Sequence, residues 1–112
     1  MSKISTHVLD TARGLPAAGV AVSLAVRTGE GWTEIAAAPT DADGRVTNLL
    51  PGNTKHFVGT YRLRFEIGDY FAAHGVTAFY PFVEVVFAVR EDRPHHVPLL
   101  VSPFSYSTYR GS

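Results

Sequence analysis

The chain has 112 residues and a mass of 12.2 kDa, with 46% hydrophobic and 18% charged residues and a formal net charge of zero. That length suits a single domain over residues 1–112, able to remove roughly two thirds of its unfolded surface from water around one core. A neutral chain offers no long-range field to nucleic acid or an anionic membrane, and the absence of cysteine excludes a disulfide framework, thiolate catalysis and sulfur-ligated zinc.

In chain order, MSKISTHVLD has no apolar h-region, and no later stretch approaches the ~18 apolar residues of a membrane span. The expectation is a soluble cytoplasmic protein, and with little charge to hold copies apart, self-association is favoured over a monomer. KISTHVLD alternates with period two, the mark of a half-buried strand. Ile4, Thr6 and Val8 share one face, so Lys3, Ser5, His7 and Leu9 share the other. The imidazole of His7 therefore points away from the core, to solvent or to another subunit. The ordinary reading of a lone strand histidine is a surface or hydrogen-bonded residue.

VAVSLAV repeats the pattern, with Val20, Val22, Leu24 and Val26 set against Ala21, Ser23, Ala25 and Arg27. Turn signals follow at Gly29-Glu30-Gly31 and Asp41-Ala42-Asp43-Gly44. Arg45 comes directly after the second turn. DADGR resembles the start of a calcium loop but lacks a third ligand before its glycine and a glutamate at the twelfth position, so calcium is not expected. An arginine there is, by itself, more often a solvated surface charge than a ligand clamp.

After Pro51-Gly52-Asn53, TYRLRFEI places Tyr61, Leu63, Phe65 and Ile67 on one face. DYFAAHG predicts one short helix over 69–75, with Asp69 as N-cap and Gly75 as the C-terminal stop. FVEVVFAV aligns Val83, Val85, Phe87 and Val89. The turn Asp92-Arg93-Pro94 leads into PHHVPLLVSP, read as one strand with Val97, Leu99 and Val101 facing the core. His96 then has the opposite parity, while His95 is expected at a wet strand end. The spacing predicts an all-β fold: a two-sheet antiparallel β-sandwich of seven to eight strands with one short helix.

The sequence contains no GxSxG elbow, P-loop, GxGxxG or HExxH. Two histidines and a carboxylate, with Asp10 as the conceivable third ligand, could hold zinc with one open position, yet no short H-x-H or H-x3-H pair anchors such a site. Neither a metal nor an organic cofactor is expected. The chain ends on STYRGS, which places an aromatic ring, a guanidinium and a hydroxyl where termini ordinarily fray.

Four segments, THVLDTARGLPAAGVAVSL, TDADGR, FYPFVEVVF and HVPLLVSPFSYSTYRGS, together resemble the transthyretin-related proteins that act as 5-hydroxyisourate hydrolases. The resemblance runs nearly end to end and in order. The terminal YRGS is its most specific piece, since the hormone-carrying transthyretins lack that ending. The resemblance implies a homotetramer with a central channel and with sites between subunits that act on a small molecule. It also implies catalytic roles for His7, Arg45 and His96 and substrate-binding roles for Tyr109 and Ser112. The last residues would then form part of the site wall, ordered by a neighbouring chain, with Gly111 as a flexible joint. Pro94, His95 and Ser105 depart from the common pattern of these relatives. Two rival readings use the same fold: a carrier of a small aromatic ligand, and a structural interaction module.

Overall fold

Alternating apolar residues can be buried only if the strands pair into sheets whose apolar faces meet, and the chain does this twice. The computed structural model describes residues 2–52, 54 and 57–111, so the expected contribution of Ser112 lies outside the described residues. The elements are β1 (Lys3–Asp10), β2 (Leu15–Pro16), β3 (Ala21–Thr28), β4 (Gly31–Pro39), β5 (Arg45–Val46), β6 (Gly59–Phe65), α1 (Ile67–Ala73), β7 (Val83–Val89), β8 (Pro94–His96), β9 (Leu99–Ser102) and β10 (Ser105–Thr108).

One sheet runs β4-β3-β6-β7 and is antiparallel throughout. The other runs β10-β9-β1-β2, with β5 and β8 also paired to β1. Its two halves differ in sense: β1 is antiparallel to β2 and β5 but parallel to β8 and β9. The crossover from one sheet to the other therefore returns the chain alongside its own beginning.

Val8, Leu24, Leu63, Phe65 and Leu99 are fully buried between the sheets. Each such side chain contributes about 1.5–3 kcal/mol of transfer free energy. The parity of β1 is as expected, with Ile4, Thr6, Val8 and Asp10 inward and Lys3, Ser5, His7 and Leu9 outward. In β3 the burial alternation is interrupted at Ala25, which is buried as well, and there the pairing with β4 shifts, Leu24 facing Ala36 and Ala25 facing Glu34, so that Ile35 is the extra residue of a bulge in β4.

The strand count exceeds the expected seven to eight because β2 and β5 are two-residue pairings with no periodicity to read. In addition, PHHVPLLVS divides into β8 and β9 on either side of Pro98, which has no N–H to donate to a ladder.

The helix begins two residues earlier than its sequence signal. Its N-cap is Glu66, which makes no side-chain capping bond, and Asp69 lies within the first turn. Burial of Ile67 and the bond from Gly68 N–H to the Pro81 carbonyl (3.0 Å) fix that start. The C-terminal end follows its signal. Gly75, at φ 74°, donates to the Ala72 carbonyl and Val76 to the Phe71 carbonyl, both at 2.9 Å, a Schellman closure. No helix among the described residues is long and apolar enough to cross a membrane.

Candidate active site

The outward face of β1 carries the polar residues that the inward pattern leaves over. Register decides what they meet. His7 lies opposite Arg45 of β5, and Ser5 lies opposite His96 of β8. Because β5 and β8 flank β1 on opposite edges, Arg45, His7 and His96 fall on three adjacent strands, each about 4.8 Å from the next. Three residues separated by up to 89 positions in sequence thus share one patch of one sheet.

Arg45 reaches this place through its turn. The Asp41 carboxylate accepts bonds from the N–H groups of Asp43 and Arg45, both at 2.9 Å, and Gly44 N–H donates to the Asp41 carbonyl. Gly44 has φ 76°, and a Cβ there would also strike the carbonyl oxygen of Val8. Glycine is therefore required twice over at this corner. The same turn fixes His7. Its Nε2 lies 2.9 Å from the Asp43 carbonyl oxygen, which can only accept, so Nε2 carries the hydrogen. In the neutral ring the lone pair is on Nδ1.

His96 is held from both sides. Its Nδ1 lies 2.9 Å from Ser5 Oγ. On the far edge the C-terminal segment returns: Gly111 N–H donates to the His96 carbonyl (2.8 Å) and forms a β-bridge with it. A Cβ built on Gly111 would stand 2.6 Å from Cδ2 and 3.1 Å from Cγ of the imidazole. The absence of a side chain on Gly111 permits this close approach, and its φ is not positive. Within its own chain, the terminal segment is held by this bridge up to Gly111.

Desolvation holds the pKa of His96 below the ordinary histidine value, with further lowering from the positive fields of His7, Arg45 and Lys3. Its imidazole is accordingly neutral at physiological pH and able to accept a proton.

Tyr109 is 59% exposed and lines a groove of about 420 Å³ with His95, His96, Thr108 and Arg110 on one wall and Val85 and Phe87 of β7 on the other. His7 and Arg45 are not in that groove; they stand on the other side of His96. His96 is the residue common to both.

One further expectation is corrected, and one alternative that was not favoured finds no support in the placement of its carboxylate. His95 is only 7% exposed, not a wet strand end, because its neighbour His96 faces outward and parity turns His95 inward. Its Nδ1 donates to the Arg93 carbonyl at 2.8 Å. Asp10, considered as a zinc ligand, faces the core at 1% exposure, opposite to His7. Its carboxylate accepts from Tyr70 Oη (2.9 Å) and from the N–H groups of Ala12 and Arg13 (both 3.1 Å).

Ser5 is the contact that sequence reading missed. It was placed on the correct face, but its partner is set by the parallel register of β1 and β8, which alternation does not reveal.

The model of the HIUase/Transthyretin family matches residues 4–111. The 5-hydroxyisourate hydrolase of Caulobacter vibrioides is 52% identical, with all of both chains covered. Among solved structures, Klebsiella pneumoniae 5-hydroxyisourate hydrolase superposes with a TM-score of 0.86 at 38% identity, again over all of both chains. Sea bream transthyretin in complex with thyroxine gives 0.90 at 36% identity, covering 97% of this chain and 94% of that one. With a family match across 4–111 and relatives of this identity over its full length, the chain belongs to the HIUase/Transthyretin family.

Proposed function

We propose that this family member is a hydrolase that opens the cyclic amide of 5-hydroxyisourate to give 2-oxo-4-hydroxy-4-carboxy-5-ureidoimidazoline, a step of urate degradation. The observation that carries this reading is the convergence of two imidazoles and a guanidinium on one outward face, in a chain whose full-length relatives are 5-hydroxyisourate hydrolases.

The chemistry follows from the groups. Water is the nucleophile, and an imidazole that is neutral near pH 7 takes its proton as the water oxygen bonds to the amide carbonyl carbon. The lowered pKa of His96 and the free Nδ1 of His7 suit both rings to this exchange, and the two share it in our reading. The guanidinium of Arg45 is exposed beside His7 and offers a planar fork of donors to the oxyanion that forms. When the tetrahedral adduct collapses, the C–N bond breaks. The imidazolium returns its proton to the departing nitrogen, and the new carboxylic acid ionises. Tyr109 and Ser112 would bind substrate through their hydroxyls.

An open sheet face does not exclude bulk water, and the chemistry gains most where water is excluded. We therefore place the site between subunits of a cytoplasmic homotetramer of one-domain chains. The edges β7 and β10, which pair with no further strand among the described residues, and the exposed Val86 and Tyr106 support such an assembly.

The test is the decay of freshly generated 5-hydroxyisourate, followed by ultraviolet absorbance and by circular dichroism of the product, against the unaided reaction. Acceleration with an optically active product is expected. His7→Ala, Arg45→Ala and His96→Ala should each lower turnover about 100-fold or more while the assembly persists on sizing. Background decay from a folded tetramer would leave a binding channel without this chemistry, the carrier reading.

A further inference from the structure

We propose that Ser5 is a positioning residue for the reaction, its hydroxyl holding the His96 ring so that Nε2 is the nitrogen free to take and return a proton. This rests on the reading of His96 as a proton-transfer group.

The contact is built by the backbone on both sides. Val97 N–H donates to the Ser5 carbonyl (2.9 Å), and the buried Thr6 Oγ1 donates to the Val97 carbonyl (2.7 Å), so β1 cannot slide past this segment without breaking buried bonds. Ser5 Oγ stands 2.9 Å from Nδ1, and the backbone of Gly111, bonded to the His96 carbonyl, passes so close to the ring that a Cβ there would stand 2.6 Å from Cδ2. The ring is hemmed by this backbone on one edge and directed by the hydroxyl on the other. A flipped ring would place carbon against the hydroxyl and forfeit the bond.

The charges around the ring explain why an acceptor is needed there. Lys3 and His7 face it from β1 and Arg45 from β5. Arg90, Glu91, Tyr109 and Arg110 line the groove beside it, and His95 precedes it on β8. Lys3, Arg45, Arg90 and Arg110 among these neighbours are cationic and oppose an imidazolium. When His96 takes a proton, both ring nitrogens become donors, and Ser5 Oγ accepts from Nδ1–H. In the neutral ring the same acceptance selects the tautomer whose lone pair lies on Nε2. A hydroxyl performs this without the full negative charge that would raise the imidazole pKa and weaken it as an acid in the return step.

Ser5→Ala should lower kcat about tenfold with KM within about twofold. The imidazolium loses its acceptor, so the acidic limb of the pH–rate profile should move to lower pH. Ser5→Thr retains the hydroxyl and should restore both. Nitrogen-15 spectra of the histidine rings in the full-length protein supply a readout independent of turnover. Neutral His96 should carry its hydrogen on Nδ1 in the parent and in Ser5→Thr, and move toward Nε2–H in Ser5→Ala. An unchanged tautomer in Ser5→Ala would overturn the proposal, as would a folded Ser5→Ala protein with parental kcat or a loss that Ser5→Thr does not repair. Should the parent itself fail to accelerate the reaction, the functional reading falls, while the ring spectra still decide whether Ser5 orients His96.

Discussion

Gly111→Ala adds one methyl group where the C-terminal segment crosses the His96 ring. The new Cβ would lie 2.6 Å from Cδ2 and must retreat by about 0.8 Å to reach ordinary contact at 3.4 Å. Two responses are open to the chain. The ring can move, in which case it leaves the 2.9 Å bond to Ser5 Oγ. Alternatively the segment can lift, breaking the 2.8 Å bond from Gly111 N–H to the His96 carbonyl at a net cost of about 0.5–1.5 kcal/mol. Either response displaces a proposed catalytic group or the wall beside it by most of an ångström, and misplacement on that scale costs on the order of 100-fold in rate. Stability should fall by no more than the cost of that one bond, because β10 and its ladder to β9 end before this residue. The assay is 5-hydroxyisourate decay with subtraction of the unaided rate, alongside a thermal melt and sizing. Wild-type turnover from a folded Gly111→Ala protein would refute the claim that this crossing matters to the site.

Other perturbations separate stability from chemistry. Tyr70→Phe removes the donor to Asp10 Oδ2 in a fully buried pair, and burial, more than the Asp10 hydrogen bond, keeps the Tyr70 hydroxyl protonated and able to donate. An orphaned buried acceptor costs about 1–3 kcal/mol, so Tm should fall by at least about 4 °C with turnover unchanged; an unaltered melt would contradict the role of this bond. Lys3→Gln removes one of the charges that hold the His96 pKa down, so the acidic limb of the rate profile should move to higher pH, and a static or opposite shift would count against that field. The folded value lies below the unfolded one, so the unfolded chain binds more protons in that window. Stability contributed by His96 is present above the ordinary histidine value and lost as pH falls through the lowered one, a loss that Lys3→Gln should diminish.

What could be read from the chain and what could not divide along a physical line. Period-two alternation reports which face of a strand is buried, and it placed His7 and His96 outward without any knowledge of their neighbours. It does not report which strand lies alongside or in which direction. The parallel return of β8 and β9 beside β1, the opposition of Ser5 and His96, and the meeting of His7 with Arg45 are products of long-range pairing. The same limit explains β2 and β5, which are too short to carry a period, and Gly111, whose requirement comes from a ring fifteen positions earlier in the sequence. His95 was misread for a different reason. Turn chemistry before it suggested solvent, but strand parity prevailed because β8 starts at Pro94 itself. The roles of His7, Arg45, His96, Tyr109 and Ser112 came from the resemblance, and composition alone would have stopped at a sandwich with outward histidines.

Fold alone cannot choose between chemistry and carriage in this family, since a hydroxyisourate hydrolase and a transthyretin holding thyroxine both superpose on this chain. The choice falls to one sheet face and what occupies it. A channel that only stores an aromatic ligand gains from apolar walls and loses from burying imidazole and guanidinium groups that need hydrogen-bond partners. Here the face carries three such groups, and the cost of assembling them is met locally. Asp43 supplies an acceptor to His7, Ser5 orients His96, and the Asp41 turn fixes the backbone of Arg45. Among the described residues, each of these supports leaves an atom without a hydrogen-bond partner: Nδ1 of His7, Nε2 of His96 and the guanidinium of Arg45. A face built to be filled by a passive ligand would have no reason to hold its polar groups in place while keeping their reactive atoms unengaged.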